Sequence, residues 1–512
     1  MNILCTDQSF IYDADSLARE FYPNEEILTK DSFKSNVIPD ITLEFSDGQI
    51  TLSDSTKKNI FSADIVPDRR ETKNNLKIIL YQYLFRKTGK MLPWGTLSGI
   101  RPTKLSTRLL EAGKSDDETR AFLQNEYLIS DEKIDLAMSI SKREHEILSS
   151  FDYESGYSLY IGIPFCPSIC LYCSFASSPI GAYRNKVSSY LDALFREIDG
   201  VAEKIRSAVD YPGNSSIDEN LDSDNASKDI ENNAGAVNSS ESAELLYQHL
   251  DTMYLGGGTP TALSAEDLDR LLTKIEASFD LRSLKELTVE AGRPDSITAE
   301  KLSVLKKHHV NRISINPQTM NQKTLDLIGR HHTVDDVIRA FEMARDMGFD
   351  NINMDVISGL PNEGDAEIEN TISKIKSMHP DSLTVHSLAR KRAARLTEEW
   401  DIYKDCTFQN DNTTLDKFYQ AAADMELSPY YLYRQKNMAG NLENCGFATS
   451  GKECLYNILI MEEKQPIIAL GAGADSKYVS DYGRIITRSE NVKDIDTYIQ
   501  RVDEMIERKR IL

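Results

Sequence analysis

The chain has 512 residues, 40% hydrophobic and 27% charged, which is too long for one ordinary core and balanced as in a water-soluble globular protein. A formal net charge of −22 argues against a general nucleic-acid binder, and no run of about 18 apolar residues is available to span a membrane. Seven cysteines, three of them clustered, form no disulfide framework; with an N-terminus that lacks the basic and apolar parts of a signal peptide, they predict a reducing, cytoplasmic setting and a metal site.

Residues 1–150 read as a separate α/β domain. Residues 40–50 alternate in polarity around Asp47-Gly48 and predict a hairpin. From Arg69 the period becomes helical, with Leu76, Ile79, Leu80 and Leu84 on one face. Residues 93–104 follow, a Gly- and Pro-punctuated loop holding Trp94, Arg101 and Lys104. It is either a corner between helices or a loop that presents two cations to an anion or to the next domain. Residues 130–148 predict a helix with Asp131 and Glu132 in its first turn.

Residues 151–396 form the second region. Its first strand, 158–163, runs straight into Cys166, Cys170 and Cys173, spaced C-x₃-C-x₂-C. A tetrahedral zinc site would want a fourth ligand nearby, and no Cys or His lies within ten residues on either side. A [4Fe–4S] cluster takes four thiolates as a rule, so three would leave one iron open to a small molecule. The alternative is three buried thiols beside a strand. After a helix at 183–207, residues 210–244 carry nine acids against one Lys and a single aromatic, Tyr211. Such a segment can bury little and predicts a disordered acidic insertion. Beyond it, strands and helices alternate: strands at 251–255, 286–291, 311–316, 351–358 and 382–386, helices at 265–279, 299–308, 334–347 and 368–378. Alternation of this kind means a parallel sheet with right-handed crossovers, worked from the carboxyl ends of its strands.

Those ends carry chemistry. The second strand ends in Gly256-Gly257-Gly258-Thr259-Pro260, where glycine admits close backbone approach. Glu290, Gln318 and Asp355 stand at the next three ends, suited to hydroxyls and an amine, and Arg330 suits a carboxylate by bidentate pairing. His331 and His332 read as surface polar residues at a helix start, and Cys5, Cys406, Cys445 and Cys454 as ordinary thiols. Residues 397–512 read as a third, mostly helical, substrate-side domain, with an aromatic and cationic run at 429–436, a strand at 466–470 and a tight Gly471–Ala474 loop.

C-x₃-C-x₂-C with an aromatic before the third cysteine resembles the signature of the radical S-adenosylmethionine (SAM) enzymes. The wider string 160–173 is similar to their porphyrin branch, the oxygen-independent coproporphyrinogen III dehydrogenases, and most to the longer HemZ type. The resemblance implies an incomplete (β/α)₆ barrel. It implies a [4Fe–4S] cluster on Cys166, Cys170 and Cys173, as metal ligands and catalytic centre. SAM would be held by Tyr160, Tyr172, Gly257, Gly258, Thr259, Glu290, Gln318, Arg330, Asp355 and the backbone at Ala389. It also implies cleavage of SAM to a 5′-deoxyadenosyl radical, oxidative decarboxylation of coproporphyrinogen III to protoporphyrinogen IX, and an electron donor such as a flavodoxin or ferredoxin. A tetracarboxylate substrate asks for cations, for which Arg390, Lys391, Arg392 and Arg395 are candidates, with Arg101, Lys104, Arg434 and Lys436 in reserve. Two positions depart from the family: Phe175 stands where a fourth Cys is usual, and the stretch from Tyr456 to Met461 lacks a His that haem-binding relatives carry. The first departure favours a haem-binding or haem-delivery protein as the alternative, and the second opposes it. A non-catalytic module with a structural cluster is opposed by the intact strand-end set.

Overall fold

The computed structural model describes residues 1–23, 25–29, 38–56, 60–97, 101–209, 247–434, 442–480 and 485–511. The insertion at 210–244, Lys436 and residues 98–100 of the Trp94 loop lie outside them.

The N-terminal hairpin forms where the alternation places it. Asp47 and Gly48 both take positive φ, 50° and 77°, and join β3 (Ile41–Ser46) to β4 (Gln49–Asp54). Two left-handed residues match the twist of the flanking strands. β1 (Asn2–Cys5), β2 (Leu28–Thr29) and β5 (Ile60–Asp64) complete a sheet of order β2-β1-β3-β4-β5. The helix Arg69–Thr88 starts at Asp68, whose carboxylate accepts from Arg70 N–H, and ends at Gly89 with φ +68°. Its Leu76, Leu80 and Leu84 share a core with Ile3, Leu17, Ile41, Leu43, Ile50 and Leu52. Burying one such side chain fully contributes about 1.5–3 kcal/mol.

The second region is the expected parallel barrel. β6 (Gly156–Ile163) leads to a two-residue ladder, β7 (Phe165–Cys166) with β8 (Ser178–Pro179). β9 (His249–Gly257), β10 (Glu286–Glu290), β11 (Arg312–Ser314), β12 (Ile352–Ser358) and β13 (Ser382–Ser387) then follow β6 across the sheet in chain order, all parallel. These strands are buried along nearly their whole length, as sheets covered on both faces must be. The helices between them begin at Ser264, Thr298 and Thr333, each accepting a backbone N–H three residues on.

The C-terminal region carries helices, chiefly Asn412–Asp424 and Leu455–Glu462, and also strands that lengthen the barrel sheet at both edges. β14 (Ser428–Tyr433) and β15 (Asn444–Ala448) add antiparallel beyond β13. β16 (Ile467–Leu470) lies parallel to β6, with β17 (Asp475–Ser480) and β18 (Ile485–Glu490) outside it. The parallel run is therefore seven strands where the alternation alone predicts six. The sheet order starts at β14 and stops at β18, so the barrel stays open. Among the described residues no helix is long and apolar enough to cross a membrane.

One carboxylate ties the regions together. Glu443, fully buried, accepts from Trp94 Nε1 at 2.8 Å, Lys133 Nζ at 2.7 Å and Tyr419 Oη at 2.8 Å. Arg101 donates to the Met461 carbonyl and pairs with Glu463 at 2.6 Å, and Lys104 reaches Glu463 at 3.2 Å. Of the two readings of the Trp94 loop, it presents its cations to the C-terminal region. Breaking a buried pair by removing one partner leaves the other charge uncompensated and costs about 3–5 kcal/mol. Glu443→Ala should therefore move the denaturant midpoint well down, while Glu118→Ala on the surface should not; equal midpoints would show that Lys133 finds another partner.

Candidate active site

The cysteine loop is closed at its base and docked at its tip. The β7–β8 ladder and a bond from Ser178 N–H to the Pro164 carbonyl (2.7 Å) pinch its ends together. At the tip, Leu171 N–H donates to the Ile328 carbonyl and Leu396 N–H to the Leu171 carbonyl, both at 2.9 Å. Leu171 itself is buried among Ile328, Ile357, Leu360 and Leu396. So held, Cys166, Cys170 and Cys173 all line one cavity of about 340 Å³ at the carboxyl ends of the strands.

The glycine triplet has a cause that the sequence does not display. Gly258 N–H donates to the Ile163 carbonyl and Thr259 N–H to the Phe165 carbonyl, each at 2.7 Å. A Cβ on Gly258 would lie 2.5 Å from the Phe165 oxygen, and Gly257 has φ +102°. Absent side chains thus let β9 close on the cysteine strand as well as opening the cavity wall.

Gly257, Gly258, Thr259, Glu290, Gln318, Arg330, Asp355, Ala389 and Tyr172 all line the same cavity. Tyr160 does not; its ring stacks behind, against Tyr254 and Tyr456, with centroids 6.2 and 6.3 Å away. Glu290 accepts from Tyr254 Oη at 2.7 Å, and burial pushes its carboxyl up to about 7. Asp355 is half-buried, but His386, 3.7 Å away, and Asn353, donating at 2.7 Å, outweigh desolvation and hold it below the usual carboxylate range. Gln318 takes φ +67°, so that its N–H reaches the Asp355 carbonyl while its carbonyl serves Ile357. That turn points its side chain inward, where Oε1, like Asn316 Oδ1, is buried without a partner.

Arg330 is more committed than bidentate pairing with a ligand would require. Its Nη2 donates to the Gly292 and Asn316 carbonyls at 2.9 and 2.5 Å, and its Nη1 to Tyr172 Oη at 3.3 Å and Cys170 Sγ at 3.8 Å. Only Nε is buried without a partner. A second guanidinium, Arg293, escapes the sequence reading. It is 3% exposed, clamped by Asp295, and donates to Ser168 Oγ at 3.1 Å and Cys170 Sγ at 3.7 Å. Its signal was present as a cation in the Gly292-Arg293-Pro294 turn just past a strand end. His332 is buried, contrary to the surface reading, and backs Asp295 at 3.8 Å, while His331 is exposed.

The expected substrate cations are mostly engaged elsewhere. Arg390 stacks on Trp400 at 3.6 Å, Arg395 pairs with Glu399, and Arg392 is exposed away from the cavity lining. Arg434 is buried, donating to the Leu97 and Leu442 carbonyls, and Arg101 and Lys104 hold Glu463. Among the described residues of that set, only Lys391 lines the cavity, its Nζ 5.5 Å from the Phe175 ring, which is 70% exposed. Arg312 lines the cavity floor, 2% exposed, with Nε unpartnered. Tyr431, Tyr433, Asn444, Asn457 and Met461 line the same cavity.

The donor set fits an iron–sulfur cube better than one ion. Among the described residues no three Cys, His, Asp or Glu are spaced to hold a single metal. A cube offers each thiolate a different iron and so asks for three thiols around one cavity mouth. Burial pushes the Cys166 thiol up to about 11 and raises Cys173, so thiolates here need positive charge beside them. Orphaned Gln318 Oε1, Asn316 Oδ1 and Arg330 Nε await a polar guest.

Because the folded state holds Glu290's proton to about pH 7 and the unfolded chain releases it near the ordinary value of 4.5, this group's contribution to stability falls as pH rises between those values. Glu290→Gln should flatten that slope of denaturant midpoint against pH in the ligand-free protein. An unchanged slope would place its carboxyl in an ordinary environment.

The radical SAM superfamily matches residues 240–375, a stretch that begins after the cysteine loop. The oxygen-independent coproporphyrinogen-III oxidase-like protein HemZ of Bacillus subtilis is 36% identical, over 96% of this chain and 93% of its own length. The heme chaperone HemW of the same organism is 30% identical over 68% of this chain and 76% of its own. The oxygen-independent coproporphyrinogen III oxidase of Escherichia coli is 23% identical over 69% and 66%.

Proposed function

Since the chain belongs to the radical SAM family of HemZ-type, coproporphyrinogen-III oxidase-like proteins, which works with a [4Fe–4S] cluster and SAM, we propose that it oxidatively decarboxylates coproporphyrinogen III to protoporphyrinogen IX. The carrying observation is the single cavity, lined by the three thiols, by Gly257, Gly258, Glu290, Gln318, Arg330 and Asp355, and by the further aromatic and polar side chains Tyr431, Tyr433, Asn444 and Asn457. A site built only to hold a cluster would have no use for that further lining. When bound, the reduced cluster and SAM supply a carbon radical able to remove an unactivated hydrogen.

In this reading Cys166, Cys170 and Cys173 hold the cluster. Gly257, Gly258, Thr259, Glu290, Gln318, Asp355, Tyr172 and Ala389 hold SAM. Arg330 acts mainly by locking the cysteine loop to the ends of β10 and β11, with Nε left for the ligand. Lys391 and Arg312 lie at the mouth and the floor, where propionate carboxylates need counter-charge. The further lining orients the reacting side chain and excludes water, so that proximity replaces diffusion. The porphyrinogen is the substrate; an external reductant of the flavodoxin or ferredoxin class delivers the electron that cleaves SAM, and a one-electron acceptor takes the electron released when CO₂ leaves the substrate radical.

The rival is a haem-delivery protein. The likeness to a heme chaperone and Phe175, exposed where the family usually has a fourth Cys, favour it. Anaerobic reconstitution with SAM, reductant, a one-electron acceptor and coproporphyrinogen III decides between them: protoporphyrinogen IX supports the proposal, and SAM cleavage without that product overturns it.

Two substitutions sharpen the assignment. Cys173→Ser should lower bound iron and abolish SAM cleavage; full four-iron content in that variant would remove Cys173 from the ligand set. Lys391→Ala should weaken coproporphyrinogen binding by about tenfold or more, the loss of one charge-assisted hydrogen bond, and leave SAM affinity unchanged. Equal substrate affinity would shift propionate recognition to Arg312.

A further inference from the structure

A second cavity, of about 250 Å³, lies where the helices Thr103–Glu111 and Asp131–Leu148 meet the loop into β6 and the end of the helix Leu455–Glu462. Its charged lining is strongly acidic: Glu111, Glu144, Asp152, Glu154 and Glu462 against Lys464 and His145. Three of these acids are accounted for. Glu111 pairs with Lys464 at 3.0 Å, Asp152 accepts from Ser155 and lies 3.7 Å from His249, and Glu154 is exposed to water.

Glu144 and Glu462 are not. Glu144 is 1% exposed, and among the described residues neither of its carboxylate oxygens has a hydrogen-bond partner. Glu462 is 6% exposed, with Oε1 unpartnered. Burial first, and then Glu462, push the Glu144 carboxyl well above the usual range. Burial raises Glu462 as well, against the pull of Lys464, Arg101 and Lys104. Water can satisfy the orphaned oxygens but cannot cancel their charge, so two neighbouring buried carboxylates at neutral pH call for a proton or a cation. The rest of the lining is Thr107 and Ser149 with an apolar side made by Leu148 and the edge-to-face pair Phe151 and Tyr153, whose centroids are 6.1 Å apart.

We propose that this cavity is a binding site for a primary alkylammonium, whose N–H donors meet Glu144 and Glu462 and whose alkyl part lies against Leu148, Phe151 and Tyr153. A bare metal ion fits less well, since among the described residues no three acidic, His or Cys groups are spaced to coordinate one. An ammonium carries three donors and one positive charge, matching orphaned acceptors that lack both. Lys464, paired with Glu111, and Arg101 and Lys104 pull on Glu462 from a distance, but among the described residues none of them donates a hydrogen bond to the orphaned oxygens.

The site is separate from the cysteine cavity, so its test does not depend on cluster loading or turnover. The full chain is titrated with butylammonium chloride and, in parallel, with potassium chloride and tetramethylammonium chloride, reading thermal midpoint and heat of binding. The proposal expects a saturable rise with butylammonium alone. Glu144→Gln, which keeps shape and removes charge, should weaken butylammonium binding at least about tenfold, and Glu462→Gln should weaken it too. If Glu144→Gln fails to fold, Glu462→Gln carries the comparison. No saturable heat, an equal effect of potassium, or undiminished binding in the folded variants would overturn the proposal and leave a proton as the pair's only partner.

Discussion

Two backbone hydrogen bonds set the geometry on which the site depends. Gly258 N–H to the Ile163 carbonyl and Thr259 N–H to the Phe165 carbonyl draw the end of β9 against the end of β6, closer than any Cβ would allow. That contact fixes where the cysteine loop leaves the sheet. The β7–β8 ladder then closes the loop's base, and Arg330 ties its tip to the Gly292 and Asn316 carbonyls. Three thiols separated along a flexible loop become a fixed mouth because the backbone on either side is already committed.

Charge explains the rest of the arrangement. A chain with net charge −22 has more acids than cations, and several of its cations are spent holding the protein together. Arg101 and Lys104 grip Glu463, Arg434 satisfies carbonyls between the N- and C-terminal regions, and Lys133 meets Glu443 in full burial. The cations left facing the cavity are Arg293, Arg312, Arg330 and Lys391. Two of them donate to the same sulfur, Cys170.

The C-terminal region both completes the barrel and shapes its interior. β14 and β15 continue the sheet past β13, and Tyr431 and Tyr433, two apart on one strand, face the cavity together. Asn457 and Met461 line that cavity from the helix Leu455–Glu462, and the next residue, Glu462, lines the acidic one. A single helix thus forms a wall of each.

Local patterns carried much of this protein's description. The hairpin at Asp47-Gly48, the helix from Arg69, the alternation of strands and helices, and the thiol spacing are each properties of a short window, and each reappears in the fold. Because parallel strands present their ends together, that alternation also brought Glu290 and Gln318 to one cavity; Asp355 lines it too, from the middle of β12 rather than its end. Tertiary structure decided what no window contains. It assigned β16 to the edge beside β6, some 300 residues away in the chain. It buried His332, set Tyr160 behind the cavity, and turned Arg434 from a substrate candidate into a structural tie. A cation's partner is chosen by whichever acceptor packing brings within about 3 Å, and that choice is made between elements distant in sequence. Residue types and periods are local quantities, whereas pairing is not.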